Sequence, residues 1–269
     1  MTRPPYLHNS DKVALLSPAY CPTAEQAAHA AEALRSWGLE PVFGRHFRTS
    51  EADFEYAGTP EQRAADLRDA LRDPSVRAII PVRGGYGSLQ LLDLLEPEDF
   101  TANPTWLMGY SDITTLLMAS VSAGVVAVHG PMGATLDTSP DNQLCRLLFG
   151  ESPSKSSRDG NILLGGNLSS VVPVLDTWAG KAFKKKFILF LEDVGEDCQH
   201  LDRLFRMLMG KKLPMQGVIL GDFTDCRPMY GYTSAMEMMR QLFTSAGIPV
   251  LGHIQAGHGP VNLPFILGK

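Results

Sequence analysis

The first half of the chain alternates short apolar runs with longer amphipathic ones. Lys12–Ser17 is a compact apolar run closed by Pro18, as expected of a buried strand. Thr23 with Gln26 makes a capping-box pattern ahead of an Ala-rich helix that Gly38 stops. Pro41–Phe43 is a second short strand. Thr59, Pro60 and Gln62 repeat the helix-start signal, and that helix ends near Pro74. Ala78–Val82 predicts a third strand, running into the turn Arg83-Gly-Gly-Tyr-Gly87, with a helix over Leu89, Leu91, Leu92, Leu94 and Leu95. Thr105–Met108 is the next strand, Ile113–Ala123 its helix, and Val125–Val128 the last strand of the series. Repeated strand–helix–strand units predict a parallel sheet covered by helices on both faces, with the working residues at the carboxyl ends of the strands.

The pattern changes after Gly150. Residues 151–160 are polar and lack apolar periodicity, so they read as a linker between an α/β unit over 1–150 and another over 161–269. In the second unit, Phe187–Leu191, Gly217–Gly221 and Ile248–Leu251 predict strands. Helices around 202–209 and 234–245 separate them.

Composition narrows the function classes. The 269 residues are 44% hydrophobic and 20% charged, with a formal net charge of -5, so no basic field draws nucleic acid. No stretch approaches a membrane span, and the amino terminus lacks a signal-peptide core, so a cytoplasmic location and no membrane partner are expected. Cys21, Cys145, Cys198 and Cys226 are widely spaced and form no CxxC pair, which predicts free thiols and no metal site.

Two turns carry candidate chemistry. Gly109-Tyr-Ser-Asp112 lies between a strand and a helix, where a sharp turn lifts a serine hydroxyl above the sheet. Local spacing equally allows Ser111 or Asp112 to be a plain helix cap, and by the residues alone the cap is favoured. The turn Arg83–Gly87 offers exposed N–H groups that could line an oxyanion hole, but it matches no nucleotide-binding fingerprint. A nucleophilic serine needs a base and an orienting carboxylate. Among the seven histidines, His129, His253 and His258 sit near strand ends beside glycines, and Glu192, Asp193 and Glu196 are the carboxylates on offer. Spacing does not choose among them.

An ordered set of motifs does. Thr59–Asp66, Arg83–Ser88, Gly109–Ile113, His129-Gly-Pro131, Gly165-Gly-Asn-Leu-Ser169, Leu191–Val194, Asp202-Arg203 and Gly257-His-Gly259 follow one another here. The series closely resembles the LD-carboxypeptidases, a serine peptidase family that also contains the microcin C self-immunity peptidases. The resemblance implies Ser111 as nucleophile, Glu192 and His258 as its partners, and no metal or cofactor. It implies a Rossmann-like or flavodoxin-like first domain, a smaller swivelling α/β second domain, and a homodimer. The implied substrate is the murein tetrapeptide, losing its terminal D-alanine in cytoplasmic wall recycling. The backbone N–H groups of Asp112 and Gly85 are the expected oxyanion hole, and Arg83, Arg203, His129 and Asn167 are candidate substrate contacts. Alternatives are an immunity-type peptidase acting on an aminoacyl-nucleotide amide, or a non-catalytic peptide-binding relative. The Arg-Gly-Gly-Tyr-Gly turn favours the murein enzyme over the immunity type. At Cys198-Gln199 the chain departs from the Pro-Tyr usual in the family.

Overall fold

A computed structural model describes residues 1–48, 55–151 and 161–269. Apart from Glu151, the expected linker lies outside the described residues.

The first unit is a six-stranded sheet in the order β10-β5-β4-β3-β1-β2. Its parallel strands are β1 (Lys12–Leu16), β2 (Glu40–Phe43), β3 (Val76–Pro81), β4 (Trp106–Gly109) and β5 (Ala127–His129). Period-two alternation divides its side chains between two cores. Val13, Leu15, Ala78, Ile80, Trp106 and Met108 face one way, against Ala30 and Leu34 of α1 (Ala24–Ser36). Ala14, Leu16, Ile79 and Leu107 face the other way, towards Leu67 and Leu71 of α2 (Pro60–Arg72). Both helices begin with the expected capping boxes, at Thr23/Gln26 and Thr59/Gln62.

The leucine-rich segment after the glycine turn forms a 3-10 helix, Ser88–Asp93, rather than an α-helix. Pro97 limits it, because the residue before proline is pushed out of the α region, and Glu96 is extended. A short helix α3 (Pro97–Ala102) follows. Every residue of α4 (Thr114–Ala123) from Thr114 to Val121 is buried. This helix packs against both units, which explains its apolar composition all round.

The second unit is a parallel sheet, β6-β7-β8-β9, formed by Ile162–Asn167, Phe187–Val194, Met215–Thr224 and Val250–His253. The sequence pattern missed β6, α5 (Gln143–Leu148) and α6 (Leu168–Val174), the last because Pro173 lies inside it. Helices α7 (Cys198–Gly210) and α8 (Ala235–Ser245) occupy the two expected positions. The last strand, β10 (Phe265–Leu267), returns to the first sheet and pairs antiparallel with β5, placing Phe265 opposite His129. Three residues between proline and glycine gave too short a run to read as a strand.

Candidate active site

The carboxyl ends of both sheets converge on one cavity of about 260 Å3. Gly85 and Tyr86 from the turn after β3, Ser111 and Asp112 after β4, Asn167 at the end of β6, and Asp193 and Glu196 after the β7 core line it.

Ser111 has φ 58°, a left-handed conformation that a non-glycine residue adopts only under constraint. The preceding Gly109 has no room for a side chain, since a Cβ there would lie 2.7 Å from Ile113 Cγ2. Ser111 makes no capping hydrogen bond to the helix that follows. Its hydroxyl is instead free of hydrogen-bond partners among the described residues. Gly84 packs so closely that a Cβ would come within 3.3 Å of Ser111 Oγ.

The candidate carboxylates differ in their main partners, although the Ser169 hydroxyl lies within reach of both Asp193 and Glu196. Glu192 is fully buried, and its Oε2 lies 2.8 Å from His258 Nδ1, which donates the hydrogen bond. Desolvation raises the Glu192 pKa above the usual carboxylate range, and the His258 hydrogen bond opposes that shift. Asp193 accepts from Asn167 Nδ2 at 2.8 Å and from the backbone and hydroxyl of Ser169 at 3.0 and 2.9 Å. Glu196 pairs with His200. Glycine explains how the His258 loop reaches Glu192: Gly257 has φ 121°, and a Cβ on it would sit 2.6 Å from Glu192 Oε2. Asn262 Oδ1 ties the same loop by accepting from Gly257 N at 3.1 Å.

Of the other candidate histidines, His253 pairs with Asp222 at 2.8 Å. His129 is fully buried, stacked on Phe265 at 4.9 Å and edge-on to Phe190. Burial lowers its pKa to about 3, and the nearby His258 ring adds to the shift. His129 lines neither this cavity nor the neighbouring one of about 380 Å3 beside Tyr110, Gly257 and Gly259.

The N–H groups of Gly85 and Asp112 have no acceptor among the described residues. Asn167 lines the cavity and also caps α6, its Oδ1 accepting from Ser170 N at 3.1 Å. Arg83 lies over the Tyr20 ring, 5.5 Å from its centroid, outside the cavity lining. Arg203 is exposed on α7 and also outside the lining. Two contacts escaped the sequence reading: the Tyr110 ring packs 4.8 Å from the His258 ring, and the Asp112 carboxylate accepts from Ser88 N. The first needed the fold, and the second was hidden by the expectation that Asp112 caps a helix.

Residues 13–130 match the LD-carboxypeptidase N-terminal domain, and residues 160–269 match the LD-carboxypeptidase C-terminal domain. The chain belongs to the LD-carboxypeptidase family. It is therefore a peptidase hydrolase. It is 33% identical to the murein tetrapeptide carboxypeptidase of Pseudomonas aeruginosa over 283 aligned positions, covering 96% of this chain and 91% of that protein. The muramoyltetrapeptide carboxypeptidase of Oxalobacter formigenes superposes with TM-score 0.80 at 24% identity, covering 96% of this chain and 92% of that one. MccF, in complex with glutamyl sulfamoyl guanosine, superposes with TM-score 0.84 at 20% identity, covering 98% and 92%. At these identities the two superpositions establish the shared fold. No helix of the described residues is long and apolar enough to cross a membrane.

Proposed function

We propose that this LD-carboxypeptidase family member is a serine carboxypeptidase, with Ser111 as nucleophile, His258 as general base and Glu192 as the orienting carboxylate. The observation that carries the reading is the buried Glu192–His258 hydrogen bond, in a fold that also holds Ser111 in a strained left-handed turn.

His258 takes the Ser111 proton as the hydroxyl attacks the scissile carbonyl. Glu192 accepts from Nδ1, which leaves Nε2 as the basic nitrogen and stabilises the imidazolium once it forms. The free N–H groups of Gly85 and Asp112 suit the oxyanion of the tetrahedral intermediate. His258 then protonates the leaving amine, and water releases the acyl group.

The substrate in this reading is the murein tetrapeptide, cleaved at the L-centre of its diamino acid to free D-alanine. Its setting is cytoplasmic wall recycling by a homodimer. The relative of P. aeruginosa named for that activity supports the substrate class.

The test is incubation of purified protein with lysine-type and diaminopimelate-type murein tetrapeptides, with D-alanine measured by coupled oxidation. Release by the parent and none by Ser111→Ala is the expected result. Absence of release from either peptide sinks the substrate assignment. An aminoacyl sulfamoyl nucleoside run in parallel reports on immunity-type amide hydrolysis.

A further inference from the structure

The peptide bond joining Gly87 and Ser88 is gripped at both ends. Its carbonyl oxygen accepts from Arg63 Nη1 at 3.1 Å, and its N–H donates to Asp112 Oδ2 at 2.9 Å. Both charged side chains are buried, Arg63 at 2% exposure and Asp112 at 7%. Burial disfavours the charge on each, lowering the Arg63 pKa and raising that of Asp112, while their mutual attraction opposes both shifts.

Arg63 is also fixed from outside the turn, by Pro18 and Gly58, and from the helix that follows it, by Gln90. Its guanidinium also donates to Pro18 O at 2.5 Å, Gly58 O at 3.2 Å and Gln90 Oε1 at 2.6 Å. Besides this grip, the turn is held by Gln90 N, which donates to Gly87 O at 3.2 Å, and by the Tyr20 ring packed against Gly85. Residues 83–87 belong to no helix or strand, and Gly85 and Gly87 have φ of 115° and 126°, where only glycine is at ease. The same turn presses on Ser111 through Gly84 and carries the free Gly85 N–H.

We propose that Arg63 is a positioning residue: with the Asp112 carboxylate it clamps the Gly87–Ser88 peptide, and so fixes the N–H donors of the glycine turn against Ser111. This rests on the reading of Ser111 as nucleophile. An ammonium cannot reproduce the forked set of bonds, so lysine is a poor substitute.

The experiment measures kcat and KM for D-alanine release from murein tetrapeptide in the parent, Arg63→Ala, Arg63→Lys and Gln90→Ala. Each protein is also tested for its rate of Ser111 phosphonylation by a fluorophosphonate, and for thermal unfolding. Arg63→Ala is expected to lose about 100-fold in kcat, the scale of one lost oxyanion donor, with KM within about threefold. Phosphonylation slows in parallel, and millimolar guanidinium restores part of both rates. Gln90→Ala, which removes the side-chain bond to Arg63 but keeps the backbone bond from Gln90 N to Gly87 O, loses roughly threefold in kcat because one charged hydrogen bond is removed.

A folded Arg63→Ala with parental kcat and phosphonylation rate overturns the clamp. So does a loss that guanidinium does not rescue and that follows the melting curve. If Arg63→Ala does not fold, an unchanged kcat in Gln90→Ala decides against it. Should the tetrapeptide not be cleaved, phosphonylation still reads the clamp. If Ser111→Ala keeps the parent's activity, the nucleophile assignment has failed and the clamp falls with it.

Discussion

His258 Nδ1 and Glu192 Oε2 meet at 2.8 Å, although 66 residues separate them in sequence. Glu192 sits within the last turnings of β7, where a register shift between Leu191 and Asp193 breaks the ladder with β8. Successive side chains on a strand point to opposite faces, so these consecutive acidic residues are buried towards different partners, Glu192 towards His258 and Asp193 towards Asn167 and Ser169.

That arrangement separates stability from activity at Glu192. Because desolvation raises its pKa, ionising Glu192 costs more in the folded state than in the unfolded chain. Its contribution to stability is full below the ordinary carboxylate pKa, and is lost as pH rises through the raised value. Glutamine is neutral throughout, so Glu192→Gln should melt at or above the parent's temperature at pH 7. Its kcat should fall by roughly 10^4, the scale on which a triad loses its correct imidazole tautomer. Calorimetry and D-alanine release on the same preparation check both halves.

Ser111 makes the complementary case. Its φ of 58° stores backbone strain that glycine does not feel. Ser111→Gly should therefore be inactive yet more stable by about 1 kcal/mol, whereas Ser111→Ala keeps the strain and the parent's stability. Urea denaturation of the three proteins gives the ranking, and equal midpoints would remove strain from the account of this turn.

The strands and helices of the first unit were legible because each carries its own signal. β1 is a short apolar run, and α1 and α2 open with capping boxes. β6, α6 and β10 were not, because Gly165-Gly166, Pro173 and a three-residue run are explained only by what they pack against. Gly166, for example, lies where a Cβ would strike Thr114 Oγ1 at 2.4 Å, a contact between units that no local pattern records. At the site, spacing offered several histidines and carboxylates without pairing them. The ordered motifs pointed to Glu192 and His258, and the hydrogen bonds put His253 with Asp222 and Glu196 with His200. Arg63 was hidden among the polar positions of α2, although it is almost fully buried.

His129 gives the chain a built-in acid sensitivity. Its pKa is lowered to about 3 in the folded state, from an ordinary 6.5, so the unfolded chain takes the proton first. The stability it contributes is full above pH 6.5 and is lost as pH falls towards 3, by about 1.4 kcal/mol per pH unit. His129→Phe, stacked between Phe265 and Phe190, carries no titrating group. The stability difference between pH 6.5 and pH 5 should shrink by about 2 kcal/mol in this variant. Because His129 lines neither cavity, KM for the tetrapeptide should stay within about twofold. Urea midpoints at the two pH values test the first expectation, and a large rise in KM would return His129 to the substrate contacts.

Gly257 tests how His258 is delivered to Glu192. Alanine there meets two penalties at once, a φ of 121° that side chains avoid and a Cβ 2.6 Å from Glu192 Oε2. The carboxylate is fully buried and cannot swing out into solvent, so the loop must move instead. Gly257→Ala should thus cost about 1–2 kcal/mol of stability and displace His258 from its partner. Gly259→Ala has only the Asp222 carboxylate in its way, at 2.7 Å, and Asp222 is part-exposed, held by a single side-chain partner among the described residues, His253. It should be the milder substitution in both melting temperature and kcat. Equal losses at the two glycines would show that the loop tolerates no side chain for a reason other than the Glu192 contact.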